Sequence, residues 1–291
     1  MRRLLIIGCG DVALRALPQL RERYRLYGLI RNHACAPLLR QRGVVPIVGD
    51  LDDPPSLAGL AGIAHDVLHS APPPPRGVRD TRTAHLVAAL GKAKSLPQQL
   101  VYISTSGVYG DCAGAVIDET RCLHPQTGRA HRRVDAEQQL REWGKRSCVR
   151  ISILRAPGIY SPTRLPLKRL EAGLPVLRAD EDGYSNHVHA DDLARMAVAA
   201  LRFGQAGRMY NASDDSVLKM GDYFDLVADH CGLPRPLRVS RAGASERIPA
   251  TVLSFMNESR RLSNRRLKTE LRFKLRYPTV RDGIAAIDCG Q

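Results

Sequence analysis

Short apolar runs alternate with longer amphipathic stretches over the first two thirds of the chain. The first run, LLII at 4–7, is aliphatic and fits a strand buried on both faces of a parallel sheet. Similar runs predict strands at 25–30, 44–48, 66–70, 100–104 and 147–154. Helical patterns lie between them, near 35–42, 54–61, 79–94 and 130–145. This alternation predicts βαβ units and an α/β fold with a doubly wound parallel sheet.

A glycine turn joins the first predicted strand to the first helix. Residues 8–13 are GCGDVA, which fits the pattern G-x-G-x-x-A. Strand, tight turn and helix N-terminus in this order present backbone N–H groups to a pyrophosphate. Gly8 would form the turn, and Gly10 would let the phosphates approach the backbone. The sequence therefore predicts a Rossmann-type dinucleotide site, contacted by Gly8, Gly10, Asp11 and Val12.

The alternation breaks after about residue 155, where prolines become frequent. Later helical segments are predicted near 191–203, 219–231 and 244–256. We therefore expect an NAD(P)-binding Rossmann domain over 1–155, with 191–205 returning to it. The remaining parts, 156–190 and 206–291, are expected to form a smaller C-terminal substrate lobe.

Composition narrows the class of protein. The 291 residues are 44% hydrophobic, as in a folded globular chain. No apolar run approaches the ~18 residues that span a bilayer, and the first residues do not resemble a secretory leader. The seven cysteines form no C-x-x-C pair and the nine histidines are dispersed, so we expect free thiols and no metal site. The expectation is a cytoplasmic protein without a membrane partner, either a monomer or a homodimer.

The charge is strongly positive, with 44 Lys and Arg against 29 Asp and Glu and a formal net charge of +15. Such an excess suits anionic partners such as dinucleotides, nucleotide-sugars, nucleic acid or an acidic protein. It is also what solvated arginines in an arginine-rich proteome would give. The basic residues are spread along the chain without an aromatic–basic stripe, so a small anionic molecule is favoured over nucleic acid.

Several further motifs follow the glycine turn in order. The most specific is VYISTSGVYGD at 101–111. The others are LRAPGIYSP at 154–162, NHVHADDLARM at 186–196, MYNASDD at 209–215 and ESRRLSNRRL at 258–267. Together they resemble the extended and atypical short-chain dehydrogenase/reductases of the NAD-dependent epimerase/dehydratase family. The resemblance implies that Thr105, four residues before Tyr109, is the catalytic Ser/Thr that hydrogen-bonds the substrate oxygen.

The resemblance also implies how the cofactor is held. Family members choose NAD with an acid at the end of the second strand, and often choose NADP with a basic residue there. A carboxylate accepts a hydrogen bond from the ribose 2′-OH, whereas a guanidinium pairs with a 2′-phosphate. Arg31 occupies this position and favours NADP, unless it is only a solvated strand-end arginine and NAD binds instead. Further implied cofactor contacts are Asp50, Leu51, Ser70, Ala71, Pro72, Ser104, Arg133 and Pro157.

The chain departs from the family at the catalytic pair. Members carry Tyr-x-x-x-Lys one helix after the Ser/Thr strand, and the tyrosine exchanges a proton with the substrate hydroxyl. No tyrosine lies between 109 and 160, and no lysine between 94 and 145. Alignment on Glu137 puts Arg129 and Arg133 at the two positions, and a guanidinium stays protonated. Candidate replacements for the proton donor are Tyr109 and His131, with His124 and Tyr160 as alternatives.

Two classes of function are left open. The first is an NADP-dependent oxidoreductase or epimerase-like enzyme acting on an anionic small molecule such as a nucleotide-sugar. Arg164, Arg169 and Arg178 would then suit a diphosphate. The second is a catalytically silent dinucleotide-binding sensor or scaffold protein.

Overall fold

The computed structural model describes residues 1–247 and 257–289, and a seven-stranded sheet runs through its centre. The strands are β1 (Arg2–Ile7), β2 (Tyr24–Ile30), β3 (Val44–Val48), β4 (Asp66–His69), β5 (Gln99–Thr105), β6 (Arg150–Ala156) and β7 (Arg208–Asn211). Their order is β7-β6-β5-β4-β1-β2-β3, and all neighbours are parallel. The strand order reverses between β1 and β4, which is where such sheets bind ligands. The predicted α/β fold with a Rossmann-type doubly wound sheet is confirmed.

Helices cover both faces of the sheet. They are α1 (Asp11–Arg21), α2 (Ala36–Gln41), α3 (Thr81–Gly91), α4 (Gly128–Ser147), α5 (Leu167–Glu171), α6 (Ala190–Phe203), α7 (Met220–His230), α8 (Arg241–Arg247), α9 (Arg265–Glu270) and α10 (Val280–Ala285). Helices α1 and α6 pack together on one face, and α3 and α4 bury Leu86, Leu140 and Trp143 on the other. Within the described residues, no helix combines the length and apolar character needed to cross a membrane.

Element ends differ from the prediction where local chemistry is unusual. The sixth strand was expected from 147, but α4 continues to Ser147 and Cys148 ends it in the left-handed conformation, with φ of 55°. The expected helix at 54–61 is a 3-10 helix over Pro54–Leu60, because two prolines open it. The helix expected at 244–256 overlaps α8, and its part from 248 to 256 lies outside the described residues.

Short strand pairs build the smaller lobe. They join Gly158–Tyr160 to His187–His189, Val176–Leu177 to Arg238–Val239, Tyr184–Ser185 to Leu218–Lys219, and Val116–Ile117 to Arg261–Leu262. Helices α5, α7 and α10 share an apolar cluster that includes Leu170, Phe224 and Ile284. Strand β7 lies in the range 206–291 that the sequence assigned to the lobe, yet it pairs with β6. That boundary is corrected, since the sheet continues to Asn211.

Two contacts join the C-terminal part of the chain to helices α6 and α7. Buried Asp192 accepts the backbone N–H groups of Arg276 and Tyr277 at 3.0 and 2.8 Å, so it anchors the chain after α9 to α6. Cys231 at the end of α7 and Cys289 after α10 form a disulfide. This pair corrects the expectation that all cysteines are free thiols. A separation of 58 residues leaves no local spacing signal in the sequence.

A buried ion pair joins α4 to the centre of the sheet. The guanidinium of Arg155 on β6 lies 2.7 Å from the carboxylate of Glu137 on α4, and each side chain is 2% exposed. Ser104 Oγ donates to the same carboxylate at 2.6 Å, and Arg155 donates to Tyr109 Oη at 2.9 Å. Tyr109 in turn donates to Asn211 Oδ1 on β7 at 2.7 Å. The network thus pairs its buried charges, as their removal from water requires.

We expect Glu137→Gln to lower the free energy of unfolding by about 3–5 kcal/mol, because Arg155 would become a buried charge without a counter-ion. Glu142→Gln removes the same charge from the exposed face of α4 and should change stability by less than about 1 kcal/mol. Urea denaturation of both variants and the parent measures the difference. Equal losses in the two variants would contradict the role given to the buried pair.

Candidate functional site

The turn after β1 has the shape that a pyrophosphate site needs. Gly8 has φ of +90°, and a Cβ there would lie 2.5 Å from the backbone nitrogen of Ala71, so only glycine fits. Ser70 Oγ donates to the Gly8 carbonyl at 2.6 Å and holds the turn. Nothing lies within 4 Å of the position a Cβ on Gly10 would take. No side chain caps α1 at Gly10, so its first N–H groups face open space and suit an anion.

The first two residues of α1 contribute in different ways. Val12 packs its side chain into the core, so only its backbone is directed to a phosphate. The carboxylate of Asp11 is ion-paired with Arg15 at 2.7 Å and with Arg164 at 3.4 Å. The two guanidinium groups offset a negative charge that would otherwise repel a pyrophosphate.

A cleft of about 380 Å³ opens beside this turn, at the carboxyl ends of β1, β2 and β3. Its walls are apolar and its rim is polar, the usual division in a small-molecule site. Lining residues that the sequence identified are Gly8, Arg31, Asp50, Leu51, Ala71 and Pro72. Other lining residues were not assigned to the site from the sequence, although Cys9 lies inside the glycine motif: Cys9, Leu14, Cys35, Leu38, Leu39 and Arg82.

Arg31 and Asp50 stand at the rim of this cleft. Asp50 is held by its own loop, since its Oδ1 accepts the Asp52 N–H at 3.0 Å. Arg82 donates a hydrogen bond to the Asp52 carboxylate at 2.6 Å, and that bond lowers the pKa of Asp52. Arg31 is exposed and makes no hydrogen bond or ion pair within the described ranges. Its guanidinium is therefore available to an anionic group in the cleft.

Two neighbouring hydroxyl side chains at the end of β5, those of Ser104 and Thr105, point in opposite directions. Thr105 caps the 3-10 turn Ser106–Tyr109, and its Oγ1 accepts the Gly107 N–H at 3.2 Å. Its hydroxyl hydrogen makes no bond with the described residues and is left to donate. Ser104 points the other way, as successive strand residues do, and donates to buried Glu137. The Ser104 hydroxyl is thus held by the buried ion pair, and a cofactor contact through its backbone stays a prediction.

The predicted replacements for the missing tyrosine are poorly placed for proton exchange. Tyr109 is 1% exposed, its hydroxyl is bonded within the buried network, and burial raises its pKa to about 12. His131 is exposed on α4, two residues from Arg133 and so on a different helix face. Buried Tyr160 donates to the Thr279 carbonyl at 3.4 Å. The structure thus places Tyr109 inside the buried network and His131 on the exposed surface of α4, and their roles as proton donors stay predictions.

The two arginines at the pair positions lie in the first two turns of α4. Arg133 is buried, and its Nη1 donates to Tyr102 Oη at 2.7 Å and to the Ile103 carbonyl at 2.9 Å. Arg129 is exposed, with no side-chain hydrogen bond in the described part of the chain. The contact of Arg133 with a cofactor ribose stays a prediction.

A second cleft of about 350 Å³ lies between the end of β6 and the lobe. Pro157 lines it, as do Arg164 and Arg169. Arg178 is exposed outside this lining, which corrects its expected place beside them. The other lining residues were not singled out: Ser106, Gly158, Ile159, Pro166, Tyr184, Ser185, Asn186, His187, Met220, Tyr223, Phe224, Glu258 and Arg260.

Three of these missed residues bring polar groups to the second cleft. Glu258 and Arg260 form an ion pair at 2.7 Å, and Arg260 also donates to the Gly110 carbonyl. That contact joins residues 150 positions apart, so no local pattern could reveal it. His187 stacks on Tyr223 with ring centroids 4.1 Å apart, and burial lowers its pKa to about 3, so it is neutral. No group of three or more His, Cys, Asp or Glu side chains within the described residues is arranged to hold a metal.

Solved structures match the chain over nearly its full length. A functionally unknown conserved protein from Silicibacter pomeroyi DSS matches with a TM-score of 0.79 at 27% identity, over 99% of this chain and 98% of that one. UDP-glucuronic acid 4-epimerase from Bacillus cereus, in complex with NAD, gives 0.75 at 19% identity, over 98% and 97%. A double mutant of DesIV, a dTDP-glucose 4,6-dehydratase from Streptomyces venezuelae with NAD and DAU bound, gives 0.77 at 21%, over 97% and 94%. The last two matches establish the fold alone.

Sequence comparisons add the family. GDP-6-deoxy-D-mannose reductase from Pseudomonas aeruginosa is 28% identical over 162 residues, which are 50% of this chain and 53% of the reductase. The chain thus spans about half the length of the curated relative it matches. The model of the NAD dependent epimerase/dehydratase family matches residues 10–213, from the glycine turn to the end of the parallel sheet. With the strand order and the motif around Thr105, this match shows that the chain belongs to the NAD-dependent epimerase/dehydratase family.

Proposed function

We propose that the chain binds NADP(H) beside the glycine turn and an anionic small molecule, such as a nucleotide-sugar, in the second cleft. The observation that carries the proposal is an open glycine turn next to Arg31, whose guanidinium is unpaired within the described residues and stands on the cleft rim. A guanidinium there matches a 2′-phosphate better than a 2′-hydroxyl. When bound, the nicotinamide supplies hydride-transfer chemistry.

The residues present fit such a dinucleotide. The space above Gly10 and the N-terminus of α1 suit the pyrophosphate, and apolar Leu51 with the Asp50 loop suits the adenine end. Ala71 and Pro72 line the same cleft, opposite the end of β2. In the second cleft, Arg164 and Arg169 suit the diphosphate of a nucleotide-sugar.

Thr105 would hold the substrate oxygen through its free hydroxyl hydrogen. The enzyme function also needs a residue that exchanges the proton. Arg129 and Arg133 stand at the tyrosine and lysine positions, and neither releases a proton at neutral pH. This observation favours a second candidate function, a catalytically silent dinucleotide-binding sensor or scaffold. Turnover separates the two candidates.

We expect NADP(H) to bind about 10–100-fold more tightly than NAD(H), since one charge-assisted contact to the 2′-phosphate contributes about 1.5–3 kcal/mol. Arg31→Ala should remove this preference and leave NAD(H) affinity unchanged. Arg40→Ala removes an exposed arginine of α2 that does not line the cleft, and should keep the preference. Isothermal titration calorimetry measures the affinities of the parent and both variants for the two cofactors, and equal affinities of the parent for the two would refute the NADP assignment.

Gly10→Val should abolish dinucleotide binding in a folded protein. The valine side chain meets nothing within 4 Å at its Cβ, so the fold tolerates it, but it occupies the space of the pyrophosphate. Gly91→Val, at the end of α3 and equally open at its Cβ, is the matched control and should still bind. Circular dichroism and a dinucleotide titration on one sample decide the matter. Binding by folded Gly10→Val would show that the turn does not face the pyrophosphate.

We expect little or no redox turnover on simple alcohols, simple ketones or UDP-hexoses, although the dinucleotide binds. The missing general acid/base step is typically worth 10²–10⁴-fold in rate. Steady-state assays with NADPH or NADP⁺ measure the residual rate. A rate near ~10 s⁻¹, typical of enzymes, would contradict this expectation and exclude the silent candidate. Dinucleotide binding without turnover on any substrate supports the sensor or scaffold function.

A further inference from the structure

Three arginines cluster at the start of α4, where the family keeps its proton-transfer pair. We call Arg129, Arg132 and Arg133 the arginine cluster. Arg129 and Arg133 are one helical turn apart on the same face, and Arg132 precedes Arg133 directly. None of the three lies within 4.0 Å of a carboxylate oxygen in the described part of the chain.

Two members of the cluster are buried without a counter-ion. Arg132 is 8% and Arg133 is 6% exposed, and the Nε atom of each is buried without a hydrogen-bond partner. The Nη1 of Arg132 donates to the Gly77 carbonyl at 2.5 Å, and that of Arg133 to the phenol of Tyr102 and a backbone carbonyl. All of these acceptors are neutral. Buried charges in proteins are normally paired, so the cluster carries positive charge that its direct partners do not balance.

Acids near the cluster are engaged elsewhere. Asp80 accepts the N–H and hydroxyl of Thr83 at 3.0 and 3.1 Å, and burial raises its pKa. Asp135 accepts the backbone N–H of Asp80 at 2.6 Å and the Gln139 amide at 2.5 Å. The acid one helical turn after Arg133 is Glu137, which belongs to the buried ion pair. The cluster thus has acids in its surroundings but no ion pair of its own.

The cluster adjoins the hydroxyl assigned to the substrate. A Cβ on Gly107 would lie 3.6 Å from Thr105 Oγ1 and 4.0 Å from the Cβ of Ala130. The first turn of α4 and Thr105 therefore lie on either side of Gly107, and Arg133 reaches β5 at the Ile103 carbonyl, two residues before Thr105. Arg129 directly precedes Ala130 and is exposed, so it makes the cluster accessible from solvent.

We propose that the arginine cluster binds an oxyanion of the substrate, a carboxylate or a phosphate, beside the oxygen that Thr105 holds. The inference rests on the proposed function, because it places the charged group of the anionic substrate. Guanidinium groups suit this task, since their planar donors match the two oxygens of a carboxylate or phosphate. The cluster is a binding and positioning site, and it implies a substrate whose oxyanion lies close to its reacting oxygen.

Inorganic phosphate is the probe, titrated calorimetrically into the full chain at constant ionic strength. Arg129→Gln should weaken phosphate binding about tenfold or more, the usual worth of a charge-assisted contact. Arg129→Lys keeps the charge without the fork and should fall between Arg129→Gln and the parent. Arg141→Gln, which removes an exposed charge further along α4, is the matched control and should change affinity less than ~2-fold. Circular dichroism checks that each variant is folded.

Gly10→Val distinguishes the cluster from the glycine turn, the other phosphate site of the chain. Phosphate binding that survives Gly10→Val but weakens in Arg129→Gln supports the inference. Loss in Gly10→Val alone, equal loss in Arg129→Gln and Arg141→Gln, or no phosphate binding by the parent would overturn it. A parallel NADP⁺ titration tests the proposed function separately. If the parent binds phosphate at the cluster but no dinucleotide, the proposed function fails and the oxyanion site stands.

Discussion

The carboxylate of Glu137 and the guanidinium of Arg155 must meet, because neither charge reaches water. That requirement brings α4, β5, β6 and β7 to one point, since Ser104, Tyr109 and Asn211 complete the same network. An apolar contact of equal volume would stabilise the fold about as well. A charged pair with fixed hydrogen-bond directions also sets the position of the helix along the sheet. The start of α4 is placed beside the end of β5 by this constraint.

A second charge links the two clefts. Asp11 opens α1 at the glycine turn, and its carboxylate holds Arg164, which lines the second cleft. Arg15 binds both Asp11 and Asp191 at the start of α6, so the turn, the sheet-covering helices and the lobe share one ion-pair chain. An anion bound in the second cleft, as proposed, would compete with Asp11 for Arg164. The electrostatics of one cleft would then depend on what occupies the other.

Local patterns predicted the parts of the molecule that local chemistry decides. The aliphatic run at 4–7 and the glycine turn at 8–13 were correctly placed, because their neighbours in the chain dictate their conformation. Positions were also predictable where a motif gave the register, as for Thr105. A motif does not give a side chain's partner, however, and the bond from Ser104 to Glu137, 33 residues away on a helix, could not be derived from the sequence.

Contacts within the lobe could not be predicted from local sequence patterns, because they join residues that are far apart in the chain. Arg260 meets Gly110 only after two short strands, 150 residues apart, have paired. The disulfide between Cys231 and Cys289 depends on the packing of α7 against α10, which cysteine spacing does not encode. Hydrophobic periodicity specifies which face of an element is buried, but not which distant element covers it.

The spacing of four residues at the start of α4 shows how a fold can keep a geometry and change its chemistry. In the family, that spacing lets a lysine lower the pKa of a tyrosine one turn away. Here desolvation of the guanidinium by nearby protein atoms and the charges of Arg133 and Arg132 lower the pKa of Arg129, so like charges oppose each other across the same turn. Neither guanidinium releases a proton at neutral pH, and their mutual repulsion is relieved by an anion between them. The helix that carries the proton-transfer pair in relatives thus carries a concentration of positive charge in this chain.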